Sequence, residues 1–212
     1  MSSKKAKLFN LKLFPMDMAR LVCAVLLPIY RLKRFTPAGE KYKNKVKGGA
    51  IVVANHSSFE DPFLVGVSFW YRRMFFLVAD VVMKGKLRSA LLYGVGAIKI
   101  TREITDINAI KKSVETLQNG HLLSVFPQGG IDREKDVETI KSGAVLMALK
   151  ADVPIIPMHI YPKKHWYSRR KVVIGKTLYP KEHTTKKIPT TSDINNITEI
   201  LMNEMQRCMN QG

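Results

Sequence analysis

Short apolar runs alternate with longer amphipathic stretches along most of this sequence, beginning at Ala50. Residues 50–54 are apolar throughout and end on Asn55 and His56, and similar runs follow at residues 75–78, 97–100, 122–126, 153–160 and 171–174. A strand that is apolar along its whole length is typical of a parallel sheet, because such a sheet is buried on both faces. The alternation therefore predicts an α/β fold with a mostly parallel or mixed central sheet flanked by helices.

The stretches between these runs carry apolar residues at helical spacing. Ile107, Ile110, Val114 and Leu117 form one such series, and Gly120 is expected to end that helix. Three more helices are predicted, at residues 83–93, 137–149 and 194–209.

The length and composition suit one globular domain, since the chain has 212 residues, of which 46% are hydrophobic and 25% charged. We expect an N-terminal membrane-associating segment at residues 1–45 and a single domain at residues 46–212. No internal repeat is visible.

The formal net charge is +18, and the excess of basic residues lies near the ends of the chain. Residues 1–50 alone carry 12 basic and 2 acidic side chains. A cationic field of this strength attracts either an anionic membrane surface or nucleic acid. The sequence lacks the helix-turn-helix, zinc and RNA-recognition signatures, and its aromatic residues do not interleave with basic ones, which argues against nucleic acid.

The N-terminal segment favours the membrane as partner. Residues 21–27 are apolar, with lysines before them and Arg31, Lys33 and Arg34 after them. Only ten residues between Arg20 and Arg31 are free of charge, whereas a spanning helix needs about 20. The segment therefore predicts an amphipathic helix that lies on anionic membrane lipids. A helix packed on the domain's own core is the alternative that stays open.

The two cysteines, Cys23 and Cys208, lie near opposite ends of the chain and form no CxxC element. This usage predicts a reducing compartment and no metal site. Together with the basic N-terminus, it predicts a peripheral or monotopic protein at the cytoplasmic face of a membrane.

Residues just past the carboxyl ends of strands are the first candidates for a site, because open α/β sheets bind ligands there. His56 directly follows the first buried strand, and Asp61 lies five residues further on. A carboxylate at that spacing can accept the imidazole N–H, which leaves the other ring nitrogen free to act as a base. The alternative to a catalytic role is a structural one, because a lone histidine at the end of a strand is more often a hydrogen-bonded structural residue.

Two further strand ends carry residues that suit anionic ligands. Arg102 follows residues 97–100, and arginine can bind a phosphate through two hydrogen bonds. Gln128, Gly129 and Gly130 follow residues 122–126, and the free N–H groups of such a turn can hold an oxyanion. The alternatives, an arginine in a surface ion pair and glycines that only make a tight turn, stay open for these residues.

At these residues the sequence resembles the glycerolipid acyltransferase family, which includes 1-acylglycerol-3-phosphate and glycerol-3-phosphate acyltransferases. That family carries an NHxxxxD block, a Gly-to-Arg block, an FPEGT-like block and a VPIIP-like block. They occur here in the same order, at residues 55–61, 96–102, 126–130 and 153–157. Any one block is weak, since short motifs recur by chance, but four in order are specific.

The resemblance implies an O-acyltransferase in phospholipid biosynthesis. His56 would be the base, Asp61 would orient it, and Asn55, Arg102, Gln128, Gly129 and Gly130 would contact substrate. The hydroxyl of a lyso-lipid acceptor, above all 1-acylglycerol-3-phosphate, would attack the acyl thioester directly. The resemblance implies acyl-CoA or acyl carrier protein as co-substrate and no cofactor.

The third block departs from the family pattern, because Gln128 stands where the family has Glu and Gly130 where it has Thr or Ser. Glutamine keeps an acceptor oxygen but loses the charge. The departure affects the acceptor more than the reaction class. It leaves open a different lyso-lipid acceptor, a thioesterase-like hydrolase or a lipid-binding protein with a degenerate site.

Overall fold

A seven-stranded mixed sheet forms the centre of the computed structural model, which describes residues 13–30, 32–101, 106–127, 134–162, 169–184 and 189–210. The strands, in chain order, are β1 (Lys33–Phe35), β2 (Ala50–Ala54), β3 (Met74–Ala79), β4 (Ala97–Ile100), β5 (Leu122–Val125), β6 (Ile155–Ile160) and β7 (Lys171–Ile174). The helices are α1 (Phe14–Tyr30), α2 (Asp61–Ser68), α3 (Lys86–Gly94), α4 (Ile107–Gln118), α5 (Glu134–Ala151) and α6 (Thr191–Met209). The predicted α/β class is confirmed.

The strands lie in the order β1-β7-β6-β2-β5-β3-β4. Neighbours are parallel from β6 through to β4, whereas β7 is antiparallel to β6 and β1 is parallel to β7. The sheet is therefore mixed, and the carboxyl ends of β2, β3, β4, β5 and β6 lie along one edge. We call this the carboxyl edge.

Strand β2 is buried along its whole length, because helices cover both faces of the sheet. Ile51 and Val53 pack into one core with residues of α4, α5 and α6. Val52 and its alternate neighbours pack into a second core with Leu64 and Val65 of α2. The alternation of side chains along a strand thus supplies both cores from one apolar run.

Helix ends follow the local chemistry of the chain. Asp106 begins α4 by accepting a hydrogen bond from the backbone N–H of Ala109 at 2.9 Å, and Gly120, with φ of +79°, follows its last turn. Helix α6 begins with a capping box between Thr190 and Asp193. The prediction that the helix containing Ile107 and Leu117 ends before Gly120 is confirmed, since α4 ends at Gln118.

Two elements were not predicted. Helix α2 begins at Asp61 with Pro62 in its first turn, a position that suits proline because the first N–H groups of a helix have no partner there. Strand β1 pairs with β7, although it lies within the N-terminal segment predicted to associate with membranes. That segment therefore contributes to the sheet as well.

Helix α1 is fastened to the domain by ion pairs at its first turns. Asp17 binds Arg73 at 2.7 Å and Arg20 at 2.9 Å, and Arg20 also donates to the carbonyl oxygens of Trp70 and Tyr71. The opposite face of the helix is apolar and exposed. We call the exposed side chains the α1 stripe: Phe14, Met18, Leu21, Val22 and Val25.

Within the described ranges, none of the helices combines the length and the apolar character needed to cross a membrane.

Gly49, directly before β2, approaches the backbone of another element too closely for a side chain. A Cβ at this position would lie 2.1 Å from the carbonyl oxygen of Leu117 and 3.1 Å from a methyl carbon of Val153. We expect Gly49→Ala to lower the free energy of unfolding by about 2 kcal/mol or more, because backbone must move to admit the methyl group. Urea unfolding followed by circular dichroism measures the loss.

Gly143 in α5 provides the matched control, since a Cβ there would meet no atom within 4 Å. Gly143→Ala should leave stability unchanged or raise it slightly, because alanine favours the helix. Equal unfolding midpoints for the two variants would contradict the predicted close approach at Gly49.

Candidate active site

His56 lies at the carboxyl edge, two residues beyond the end of β2. Strand β2 lies between β5 and β6, so residues that follow those two strands lie on either side of His56. The ring of Phe126, directly after β5, lies 4.8 Å from the His56 ring between centroids. The central position in the sheet thus gives the histidine one apolar wall, while its side chain remains 30% exposed.

Asp61 contacts the imidazole of His56 through one carboxylate oxygen. Its Oδ2 atom lies 3.0 Å from Nδ1 of His56 and accepts the backbone N–H groups of Ser57 and Ser58, each at 2.7 Å. The chain turns back on itself between His56 and Asp61, and these hydrogen bonds close the turn. The predicted contact between the two side chains is therefore present.

Asp61 is 1% exposed, yet its carboxyl group stays ionised. Burial acts to raise its pKa, but the hydrogen bonds from His56, Ser58 and Ser57 outweigh burial and hold the pKa of Asp61 below its usual value. An ionised carboxylate can only accept, so Nδ1 of His56 carries a proton. The other ring nitrogen, Nε2, then has a free lone pair and can take a proton from a bound hydroxyl group.

Asn55, at the start of the turn, binds the backbone of β6 through its side chain. Its side-chain oxygen accepts the Ile160 N–H at 2.6 Å, and its side-chain nitrogen donates to the Ile160 carbonyl oxygen at 3.0 Å. These bonds tie the end of β2 to the end of β6. The structure thus shows Asn55 as a brace of the site, and its contact with substrate stays a prediction.

An ion pair that the sequence did not predict joins the same turn to β7, with a buried arginine and a partly exposed glutamate. Glu60, the residue before Asp61, binds the guanidinium of Arg170, which directly precedes β7 and is only 6% exposed. The pair anchors the turn to a strand that lies two positions away from β2 in the sheet. The only sequence signal was a carboxylate inside the NHxxxxD block, which does not identify a partner 110 residues away.

The remaining predicted site residues, Arg102, Gln128, Gly129 and Gly130, lie outside the described residues. Their described neighbours, Thr101 after β4 and Pro127 after β5, lie at the carboxyl edge. The ends of β2, β4 and β5, which the three predicted parts of the site follow, therefore lie along the same edge of the sheet.

Other histidines in the described part of the chain lack such an arrangement. His121 packs on the ring of Phe75 at 5.4 Å and precedes β5, so it lies at the opposite edge of the sheet. Burial and the nearby Arg73 and Arg72 charges lower its pKa to about 4. Burial likewise lowers the pKa of His159. In the described ranges, no group of three or more His, Cys, Asp or Glu side chains is placed to hold a metal ion.

Comparison with known proteins places this chain in a family. The family model described as Acyltransferase matches residues 34–161. The 1-acyl-sn-glycerol-3-phosphate acyltransferase of Bacillus subtilis is 22% identical over 82% of this chain and 89% of its own length. Its counterpart in Borreliella burgdorferi is 23% identical over 75% of this chain and 65% of its own length.

A solved structure has the same fold. The 1-acyl-sn-glycerophosphate acyltransferase of Thermotoga maritima matches with a TM-score of 0.58 and 18% identity, covering 92% of this chain and 80% of that one. At this identity the likeness establishes the shared fold.

The tautomer of His56 is a direct test of the turn. We expect ¹⁵N NMR to find the proton of neutral His56 on Nδ1. In Asp61→Ala, Nδ1 loses the oxygen that accepts its proton, so the Nε2-protonated form gains population. Ser57→Ala is the control, because the contact to Asp61 uses the backbone of Ser57. A tautomer population that is the same in wild type and Asp61→Ala would contradict the role of Asp61.

Proposed function

Because the chain belongs to the acyltransferase family, we propose that it moves a fatty acyl group from an acyl thioester to the free hydroxyl of a lysophospholipid, with 1-acylglycerol-3-phosphate as the preferred acceptor. Family membership confirms the predicted reaction class, O-acyl transfer. The single observation that carries the mechanism is the contact between His56 and the buried, ionised Asp61.

In the proposed reaction, Nε2 of His56 removes the proton from the acceptor hydroxyl as its oxygen attacks the thioester carbonyl carbon. The tetrahedral intermediate collapses with cleavage of the carbon–sulfur bond, and the imidazolium returns the proton to the thiolate. Asp61 stabilises the imidazolium between the two proton transfers. The step needs no acyl-enzyme, since a thioester is already an activated acyl donor.

Proton transfer by a positioned base contributes about 10²–10⁴-fold to the rate. The remainder depends on positioning and on stabilisation of the oxyanion. We assign Arg102 to the acceptor phosphate and the turn of Gln128, Gly129 and Gly130 to the acceptor and the oxyanion. Acyl-CoA or acyl carrier protein supplies the acyl group, and no cofactor takes part.

The names of the relatives from Bacillus subtilis and Borreliella burgdorferi support 1-acylglycerol-3-phosphate as the acceptor. Gln128 and Gly130 favour a second candidate, a different lyso-lipid, because they change the charge and the hydroxyl content of the predicted acceptor turn. A panel of lysophospholipids, lyso-aminolipids and glycerol 3-phosphate, assayed with one donor, separates these acceptors.

We expect His56→Ala to lower the rate of acyl transfer by about 10³-fold or more while leaving the unfolding midpoint unchanged, since the variant removes the base. Mass spectrometry of diacylated product and of free fatty acid measures the two fates of the acyl group. His183→Ala is the matched control, because it removes an exposed imidazole outside the site. Near wild-type transfer by His56→Ala would falsify the mechanism. Release of free fatty acid by wild type at the same rate with and without acceptor would identify a hydrolase instead.

We also propose that the protein works as a peripheral or monotopic protein at the cytoplasmic face of the membrane. The α1 stripe is exposed apolar surface on a helix next to a strongly basic N-terminal segment. Apolar side chains of this kind insert at the boundary of the headgroups, and basic residues bind anionic lipids. Phe59 and Phe63, exposed and in ring contact at 6.4 Å, lie on the same turn and helix as Asp61 and extend apolar surface to the site.

The double variant Leu21→Gln/Val25→Gln is expected to bind vesicles of phosphatidylglycerol and phosphatidylcholine at least about tenfold more weakly than wild type, because it removes apolar area from the α1 stripe. Flotation measures the bound fraction. Ile107→Gln is the control, since Ile107 is 73% exposed but lies at the start of α4. Equal flotation of all three proteins, or tighter binding to an oligonucleotide at matched salt, would reject the membrane surface as partner.

A further inference from the structure

Helix α3 is exposed along its whole length, although it connects two neighbouring strands of the sheet. None of its residues is buried, and Leu87 and Leu91 are 76% and 64% exposed. These two leucines are four residues apart and therefore lie on one face of the helix. We call the exposed apolar side chains on α3 and in the turns beside it the α3 patch: Val81, Leu87, Leu91, Tyr93 and Val95.

The end of α3 contacts the start of α1. A Cβ at Gly94 would lie 3.7 Å from the Cβ of Pro15, and a Cβ at Gly96 would lie 2.6 Å from the methyl carbon of Met16. Phe14, the first residue of the α1 stripe, directly precedes Pro15. Helix α1 packs in turn on α2, which covers the face of the sheet opposite to α4, α5 and α6. Helices α1, α2 and α3 therefore form one layer.

This layer carries most of the exposed apolar surface. Of the 17 large apolar side chains that are exposed among the described residues, 13 lie on α1, α2, α3 or the turns next to them. The described residues of α4, α5 and α6 supply only Ile107, Met202 and Met209. A concentration of this kind marks a contact surface, since monomeric proteins rarely expose large apolar patches. The contact surface is therefore on the side of the sheet where α3 lies.

Three basic residues lie at the start of α3, and we call them the α3 basic cluster: Lys84, Lys86 and Arg88. All three are exposed, and none forms an ion pair with another described residue. Residues 81–98 contain no aspartate or glutamate. Cations in the first turn of a helix oppose the helix dipole, and Gly85 offers no side chain to cap α3. The cluster therefore does not stabilise its own helix and suits an external anionic surface.

We propose that α3 is a second membrane contact, in which the α3 patch inserts between the headgroups of an anionic bilayer and the α3 basic cluster binds lipid phosphates. Exposed leucines beside basic residues are typical of helices that lie on anionic lipids. An acidic protein would also attract the cluster, but the contact between α3 and the start of α1 makes the α3 patch an extension of the α1 stripe, which favours a lipid surface.

The inference rests on the proposed membrane location of the protein and adds a second helix to the contact that the α1 stripe makes. A single helix in the headgroup region leaves the domain free to rotate about the axis of that helix. Contact through α3 as well would remove this freedom and hold the layer of α1, α2 and α3 against the bilayer.

The first test removes apolar area from α3. Leu87→Gln/Leu91→Gln is expected to bind vesicles of phosphatidylglycerol and phosphatidylcholine about tenfold more weakly than wild type in flotation, because two leucines no longer insert. The unfolding midpoint should stay the same, since both side chains are exposed. Ile107→Gln/Met209→Gln is the matched control, because it replaces two exposed apolar side chains on α4 and α6, in the opposite layer. The control should float like wild type.

The second test removes charge. Changing the three residues of the α3 basic cluster to glutamine should weaken binding to the same vesicles by about tenfold or more and leave binding to pure phosphatidylcholine unchanged. Lys111→Gln/Lys150→Gln/Lys176→Gln is the matched control, since it removes the same charge from exposed positions outside α3. A smaller effect of the cluster variant at high salt is expected, because salt screens the attraction.

Flotation of both α3 variants at the wild-type level, with Leu21→Gln/Val25→Gln still impaired, would overturn the inference and leave the membrane location in place. Unchanged flotation combined with weaker binding to acyl carrier protein would overturn it in favour of an acidic protein partner. Unchanged flotation combined with a loss of dimers in light scattering would overturn it in favour of a second copy of the chain. Wild-type protein that fails to float would instead reject the proposed membrane location itself.

Discussion

Asp61 accepts three hydrogen bonds in a space almost closed to water, and the arrangement of the candidate active site depends on them. A buried carboxylate is costly unless its charge is compensated. Here the compensation comes from two backbone N–H groups and the imidazole of His56, so the groups that keep the carboxylate ionised are also the groups that it orients. The buried charge therefore specifies both the path of the turn and the protonated nitrogen of the histidine.

The rest of the fold keeps that turn in place. The end of β2 is tied to β6 through Asn55, and the next part of the turn is tied to β7 through the ion pair of Glu60 with Arg170. Phe126, after β5, covers one side of the imidazole. These contacts come from β5 and β6, which flank β2, and from β7, which lies beyond β6. A central strand of a packed sheet therefore suits a catalytic base, because neighbouring strands can hold the residues that follow it.

Much of the secondary structure could be predicted because it depends on local sequence patterns. The apolar runs predicted β2, β4 and β7 with the observed ends and β3, β5 and β6 with ends at most two residues away, and α4 ended before Gly120 as expected. Helix α2 was missed because it is short and begins inside the NHxxxxD block, where the sequence was interpreted by its chemistry. Strand β1 was missed because its three residues, two of them basic, have no strand pattern of their own. Pairing with β7 forms it.

By itself, the sequence determined the α/β class, the family and the pairing of His56 with Asp61. These depend on hydrophobic periodicity, on four short blocks in order and on two residues five positions apart. Only the tertiary structure decided the partners of Asn55 and Glu60 and the burial of Arg170. Each of those contacts joins elements whose neighbours in space follow from strand order. Strand order is set by how the whole chain buries its apolar surface, which no short stretch of sequence encodes.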